Sequence, residues 1–192
     1  MKTISVALMC IACLLPVPGP ASAQDSNAYR VLATSKTSTM QKEMQEAGAA
    51  GYRYAAVMGG ETAVGGKEVV AVMQRTGQDT SQYEYRLLAT NRTSTMQKEM
   101  QEAADVGFRY AGQTVFESLL GGKEVVVILE RTPGAADAPK FEYRLIATTK
   151  TSTLEKEMKE AGGASYEVVG MTVGKTLVGG TELVAITRRP VK

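Results

Sequence analysis

The stretch TSTMQKEMQEA occurs at 37–47 and again, letter for letter, at 93–103; a looser copy, TSTLEKEMKEA, stands at 151–161. The repetition extends well beyond this segment. Tyr29–Arg75, Tyr85–Arg131 and Tyr143–Arg189 align without a gap, and copies one and two agree at 28 of 47 positions. Such closeness between the first two fits a recent duplication, so the diverged third copy is the better guide to what the unit requires. A unit of this length is one supersecondary element that buries its apolar face poorly on its own.

Each copy reads strand, helix, strand, strand. YRVLAT, YRLLAT and YRLIAT are β-rich, and Tyr83, Tyr85, Leu87 and Ala89 share one face by period-2 alternation. Ser38 with Gln41, Ser94 with Gln97 and Ser152 with Glu155 match a capping box and predict where the helices start. Met40, Met44 and Ala47, and their counterparts Met96, Met100 and Ala103 and Leu154, Met158 and Ala161, form a narrow apolar stripe at helical spacing. Gly51 and Gly107 stand where a left-handed stop is expected, with Ser165 in their place in copy three. VGGKE, LGGKE and VGGTE announce a hairpin into the most apolar strand, EVVAVMQR, EVVVILER or ELVAITRR. Near-continuous apolarity implies burial on both faces, which places that strand in the middle, antiparallel to the other two.

One helix covers only one face of its sheet, so the other face needs a neighbouring copy. The expected fold is α+β: three tandem β-α-β-β repeats, each an antiparallel sheet of order 1-3-2. They are expected to pack about an approximate threefold axis with the helices outside, and an open row is the competing layout. The expected units are repeat 1 over 24–76, repeat 2 over 83–132 and repeat 3 over 141–192, joined by the short polar linkers 77–82 and 133–140.

Residues 1–23 read as a signal peptide. Lys2 precedes the apolar run ISVALMCIACLL, and Ala21-Ser22-Ala23 forms a cleavage site. The run falls short of the roughly 20 apolar residues of a membrane span. A periplasmic or secreted protein beginning at Gln24 is expected, lipidation at Cys10 or Cys13 being the alternative. Both cysteines leave with the signal, and the chain has no histidine or tryptophan. No disulfide framework, no customary zinc site and no Ser-His or Cys-His nucleophile can be built from what is left. No cofactor or metal is expected. A formal charge of +2 implies no broad attraction to nucleic acid.

The unit resembles a small bacterial domain family of unknown function. That family pairs a YEY-basic-apolar strand and a helix ending in Gly-Trp with a last strand that ends in basic residues. The matching text is YEYRLLA, MQKEMQEAADVGFRYAG and VVVILER in copy two, and FEYRLIA, LEKEMKEAGGASYEVVG and LVAITRR in copy three. Tyr52, Phe108 and Tyr166 stand where the family has tryptophan. The resemblance implies a β-α-β-β fold and lends no activity.

Three sets of residues are candidates for a site. Ser38 and Thr39, Ser94 and Thr95, and Ser152 and Thr153 place hydroxyls and free amides at helix starts beside Lys36, Arg92 and Lys150. They would either hold an anion or simply cap the helix. Glu68, Glu124 and Glu182 follow each Gly-Gly pair and are expected near the TST loops, as general bases or as structural acceptors. Arg30, Arg86 and Arg144, with Arg75, Arg131 and Arg189, would form a positive ring for an anionic ligand or pair with Glu84, Glu142 and helix glutamates. The methionines would be core or a soft copper(I) site, and their spacing favours core. Taken together, a non-enzymatic binding or structural protein is expected, with an unknown protein partner or self-assembly. A small-anion binder and an enzyme using Glu, Lys or Tyr are the alternatives.

Overall fold

The structure, a computed structural model, describes residues 28–191 apart from 63, 65, 78, 118–122, 136–138 and 176–179. The expected signal peptide and Gly65, Gly121, Gly122 and Gly179 of the expected hairpins lie outside the described residues. Copy one is β1 (Ala28–Thr34), α1 (Thr37–Ala49), β2 (Arg53–Thr62) and β3 (Gly66–Arg75). Copy two is β4 (Glu84–Thr90), α2 (Thr93–Asp105), β5 (Arg109–Glu117) and β6 (Lys123–Arg131). Copy three is β7 (Phe141–Thr148), α3 (Thr151–Gly163), β8 (Glu167–Lys175) and β9 (Thr181–Pro190). Each copy forms an antiparallel three-stranded sheet with its last strand central, in the order β1-β3-β2, β4-β6-β5 and β7-β9-β8. No helix among the described residues is long and apolar enough to cross a membrane.

The helices end as the glycines indicate. Gly51 and Gly107 take φ +81° and +90°. The amide three residues past the helix reaches back to the last turn in each case: Tyr52 N–H donates to Ala47 O, Phe108 to Ala103 and Tyr166 to Ala161, all at 3.0 Å. Ser165 completes the third stop at φ 64° and is the only described non-glycine with positive φ. A β-carbon is unfavourable there by about 1 kcal/mol. Ser165→Gly is therefore expected to raise stability by about 0.5–1 kcal/mol, read as a shift in the urea unfolding midpoint at unchanged slope.

The helices do not begin as the serines suggested. Lys36, Arg92 and Lys150 are the extended N-cap residues, the helices start at Thr37, Thr93 and Thr151, and no side chain caps them. A different local bond sets this start. The Lys36 N–H donates to Thr34 Oγ1, Arg92 to Thr90 and Lys150 to Thr148, each at 3.2 Å, which closes a turn ahead of the helix. Ser38, Ser94 and Ser152 thus lie inside the first turn, exposed. Gln41 and Gln97 are free for other work.

The core explains why the middle strand is apolar throughout. Val125, Val127 and Leu129 of β6 pack with Met96, Met100 and Ala103 of their own helix. The alternate residues Val126 and Ile128 pack with Met40, Met44 and Ala47 of the preceding copy's helix. β9 divides likewise, Ala185 facing Leu154 and Ala161 of α3 while Ile186 joins the core around α2. Each of α1 and α2 is therefore held between its own sheet and the back of the next. Met40, Met44, Met96 and Met100 are fully buried core side chains, and Met158 packs half-buried against the third core.

Contacts between copies run from one to two and from two to three, with α1 on β4, α2 on β7, β2 against β5 and β5 against β8. The expected threefold axis is not seen in them. The back of the first sheet has no cover among the described residues, Tyr29 and Val31 being 61% and 64% exposed. The described residues form a row with two unlike ends.

Candidate functional site

A set of polar side chains bonds across the seams between copies. In an antiparallel sheet of order 1-3-2 the first strand is an edge, with alternate amides and carbonyls unpaired. The preceding helix satisfies them with glutamines. Gln41 Oε1 accepts from Leu87 N–H at 2.9 Å, and Gln45 Nε2 donates to Tyr85 O at 3.1 Å. At the second seam Gln97 Oε1 accepts from Leu145 N–H at 3.0 Å and Gln101 Oε1 from Tyr143 N–H at 2.9 Å. Two side-chain amides one helical turn apart thus stand in for a neighbouring strand. In copy three the same positions are Glu155 and Lys159, which pair with each other at 2.6 Å.

The other side of each seam is a close approach of β2 to β5 and of β5 to β8. A bulge interrupts the pairing of these strands at the same place in every copy, at Tyr54/Ala56, Tyr110/Gly112 and Val168/Gly170. The Tyr54 N–H donates to Tyr85 Oη at 2.7 Å and the Tyr110 N–H to Tyr143 Oη at 2.6 Å. The Tyr54 hydroxyl lies over Gly112 and that of Tyr110 over Gly170, where a β-carbon would be within 2.2 and 2.3 Å. The Gly59 N–H donates to Thr114 Oγ1 at 2.7 Å.

Between copies one and two this polar seam has a charged centre. Glu130 is 2% exposed. It accepts from Arg53 Nε at 3.0 Å, from the Tyr85 hydroxyl at 3.1 Å and from Arg109 at 3.3 Å. Gln74 and Arg188 occupy its place in the other copies. The network borders an open cavity of about 600 Å³ lined by Arg53, Tyr54, Gln74, Asp79, Arg109 and Glu130. Its two guanidiniums are matched by two carboxylates, so it offers an anion no net attraction.

Burial raises the Tyr85 hydroxyl well above the ordinary tyrosine range, with the Glu130 charge adding to it; burial does the same for Tyr110, with the neighbouring Tyr54 and Tyr143 hydroxyls adding to it, and burial alone raises Tyr143. A group whose folded pKa is raised favours the native state fully below its unfolded pKa, near 10 for tyrosine. That contribution is lost as pH climbs from there towards the folded value. Stability is expected to fall above pH ~10. In a titration followed by tyrosinate absorbance, these three should ionise only together with loss of the folded circular dichroism signal.

The candidates from the sequence fall into place as follows. Thr39, Thr95 and Thr153 are half-buried in the first helical turns. Ser94 borders a groove of about 860 Å³ between α2 and β7, whose walls also carry Glu102, Asp105 and Glu142. Glu68 accepts from Thr62 Oγ1 at 2.7 Å. Glu182 reaches back across the second seam to Thr93 Oγ1 at 2.5 Å. Glu124 lines a small recess with Asn91 and Val173. Arg30 is exposed, Arg86 and Arg144 are half-buried, and each sits on its own sheet. Arg131 pairs with Glu84 and Arg189 with Glu142. The guanidiniums of Arg75, Arg131 and Arg189 stack on Tyr52, Phe108 and Tyr166 at 4.9, 4.5 and 4.7 Å. These last arginines hold helix ends to sheets within their own copies. The seam residues Gln45, Gln101, Tyr54, Tyr110, Arg53 and Glu130 had not stood out as functional. Their signal is that they change in copy three, whose front face meets no other copy among the described residues: Tyr54 and Tyr110 become Val168, and Gln45 and Gln101 become Lys159.

No protein-family model matches the chain, and neither a curated protein nor a solved structure matches it.

Proposed function

We propose that the chain is a non-catalytic repeat protein of the periplasm or the extracellular space that acts by presenting surfaces to other proteins or by building structure. The supporting observation is where its polar and apolar groups are engaged. Gln41, Gln97, Tyr85, Glu130 and Glu182, which carry amide, phenol and carboxylate chemistry, are bonded across seams between copies. The two ends of the row, in contrast, present apolar side chains. Tyr29, Val31 and Met58 share the back of the first sheet, as their pairing with Gln74, Val72 and Val70 places them on one face. Val168, Met171 and Val173 lie together beside α3 on the front of the last sheet. Grouped exposed apolar side chains of this kind mark interaction surfaces.

The test is to immobilise the purified chain and pass over it an extract of the compartment that contains it. Specific retention of protein, lost on Val31→Asp or Val168→Asp with the fold intact, is the expected result. Turnover of a substrate panel that disappears on replacing Glu124 and Glu182 with glutamine would overturn the reading in favour of an enzyme.

A further inference from the structure

The two exposed ends correspond, position by position, to the two sides of the internal seams. Val168, Met171 and Val173 occupy the positions of Tyr54, Val57 and Gly59 and of Tyr110, Gln113 and Val115, the residues with which copies one and two meet the copy that follows. Tyr29, Val31 and Ala56 occupy the positions of Tyr85, Leu87 and Gly112 and of Tyr143, Leu145 and Gly170, the residues with which copies two and three meet the copy before. Both halves are unpartnered within the described residues, at opposite ends of the row.

We propose that one molecule docks head to tail on another, copy three of the first against copy one of the second, in the geometry of the internal seams. This deepens the binding reading above by naming the partner as a second copy of the chain.

The end residues differ from the internal ones in matched pairs. Internally a tyrosine stands over a glycine, Tyr54 on Gly112 and Tyr110 on Gly170. At the ends the large partner has shrunk to Val168 and the small one has grown to Ala56. The added methyl offsets part of the volume lost with the ring, the direction of change that packing tolerates best. The strand-edge contacts are matched too. Glu155, in the place of Gln41 and Gln97, supplies an acceptor for the Val31 N–H, the counterpart of the Leu87 and Leu145 amides. Lys159, in the place of Gln45, supplies a donor for the Tyr29 carbonyl. Glu167 replaces Arg53 and Arg109 and would meet Gln74 in place of Glu130, so no buried charge is set against a like one. The end seam lacks the hydroxyl of Thr114, where copy one has Met58, and lacks the Glu130 network. It is weaker than the first internal seam and forms as concentration rises. A contact between unlike faces closes into a ring or extends as a filament.

The experiment is sedimentation velocity on the chain expressed from its complete reading frame and processed by the cell, over a wide range of concentration. The wild type is expected to grow beyond a dimer as concentration rises. Val31→Asp kills the head and Val168→Asp the tail, each weakening association at least about tenfold by burying a charge. Each variant alone should sediment as a monomer, and an equimolar mixture should form a 1:1 dimer and nothing larger, since it retains one live face of each kind. Val168→Tyr alone should weaken association against Ala56, and adding Ala56→Gly should restore or exceed the wild-type affinity. Thermal unfolding by circular dichroism checks that every variant is folded.

A wild type that stays monomeric throughout overturns the proposal, as does a mixture of the two Asp variants that does not combine, or a Val168→Tyr effect indifferent to Ala56→Gly. A monomeric wild type that still retains extract proteins through the same faces would remove self-assembly and leave the protein-binding reading standing.

Discussion

Gly48→Ala is expected to destabilise the chain by about 2–3 kcal/mol, while Gly162→Ala, the same substitution at the same place in copy three, stabilises it by about 0.5–1 kcal/mol. Both glycines are the penultimate residue of a helix, α1 and α3 respectively. Helix propensity alone favours alanine at both. The surroundings differ. A β-carbon on Gly48 would lie 2.2 Å from Tyr83 O and 2.9 Å from Tyr85 Cε2, because the end of α1 is pressed onto the start of the next copy. The Tyr83 N–H donates to Gly48 O at 3.1 Å, so a backbone carbonyl and not a flexible side-chain tip would have to move. A β-carbon on Gly162 meets nothing within 4 Å, since none of the described residues packs on that end of α3. The opposite signs are the diagnostic. Two stabilising substitutions, measured by urea unfolding, would mean that the first seam is not closed as described.

Glu130→Ala is the second large effect, with an expected loss of about 2–3 kcal/mol. Breaking a buried pair from one side leaves the partners without their counter-charge. Arg53 and Arg109 are half-exposed and recover hydration, which limits that part of the loss. The Tyr85 hydroxyl is buried and has no other acceptor among the described residues, so it carries the desolvation penalty. Glu130→Gln keeps an oxygen for Tyr85 and is expected to cost about 1 kcal/mol. In a double-mutant cycle, Tyr85→Phe should remove part of the Glu130→Ala penalty, because the orphaned hydroxyl is then gone. Full additivity of the two changes would show that the tyrosine and the carboxylate are not coupled.

The repeat unit was legible because each of its signals is local. Met40, Met44 and Ala47 share a helix face by spacing alone, Gly51 marks its own stop, and the apolar run at Val125–Leu129 demands cover on both sides whatever supplies it. The order 1-3-2 then follows from connection geometry. The helix starts were misread because a capping box and a helix face use the same letters. Gln41 satisfies the box in the text, and in the fold it bonds to an amide 46 residues away. No local rule weighs a strand edge contributed by the next copy. The expected axis failed to emerge for a related reason. Identical units suggest symmetry, but row or ring is decided by the terminal faces, and their meaning depends on a register that sets Val168 against the position of Ala56. Glu130 escaped because it occurs in one copy only, at the end of a strand whose other residues read as plain core.

The central claim is that no copy can bury its middle strand alone, and the most direct measurement is the unfolding of copy two, residues 83–132, produced by itself. That fragment loses α1 from one face and β7 from its own helix, exposing Val126, Ile128 and Met100, all fully buried in the chain. It is expected to show no cooperative unfolding transition as a monomer, or to fold only by associating with itself. A monomeric fragment that unfolds cooperatively at the temperature of the full chain would contradict the account.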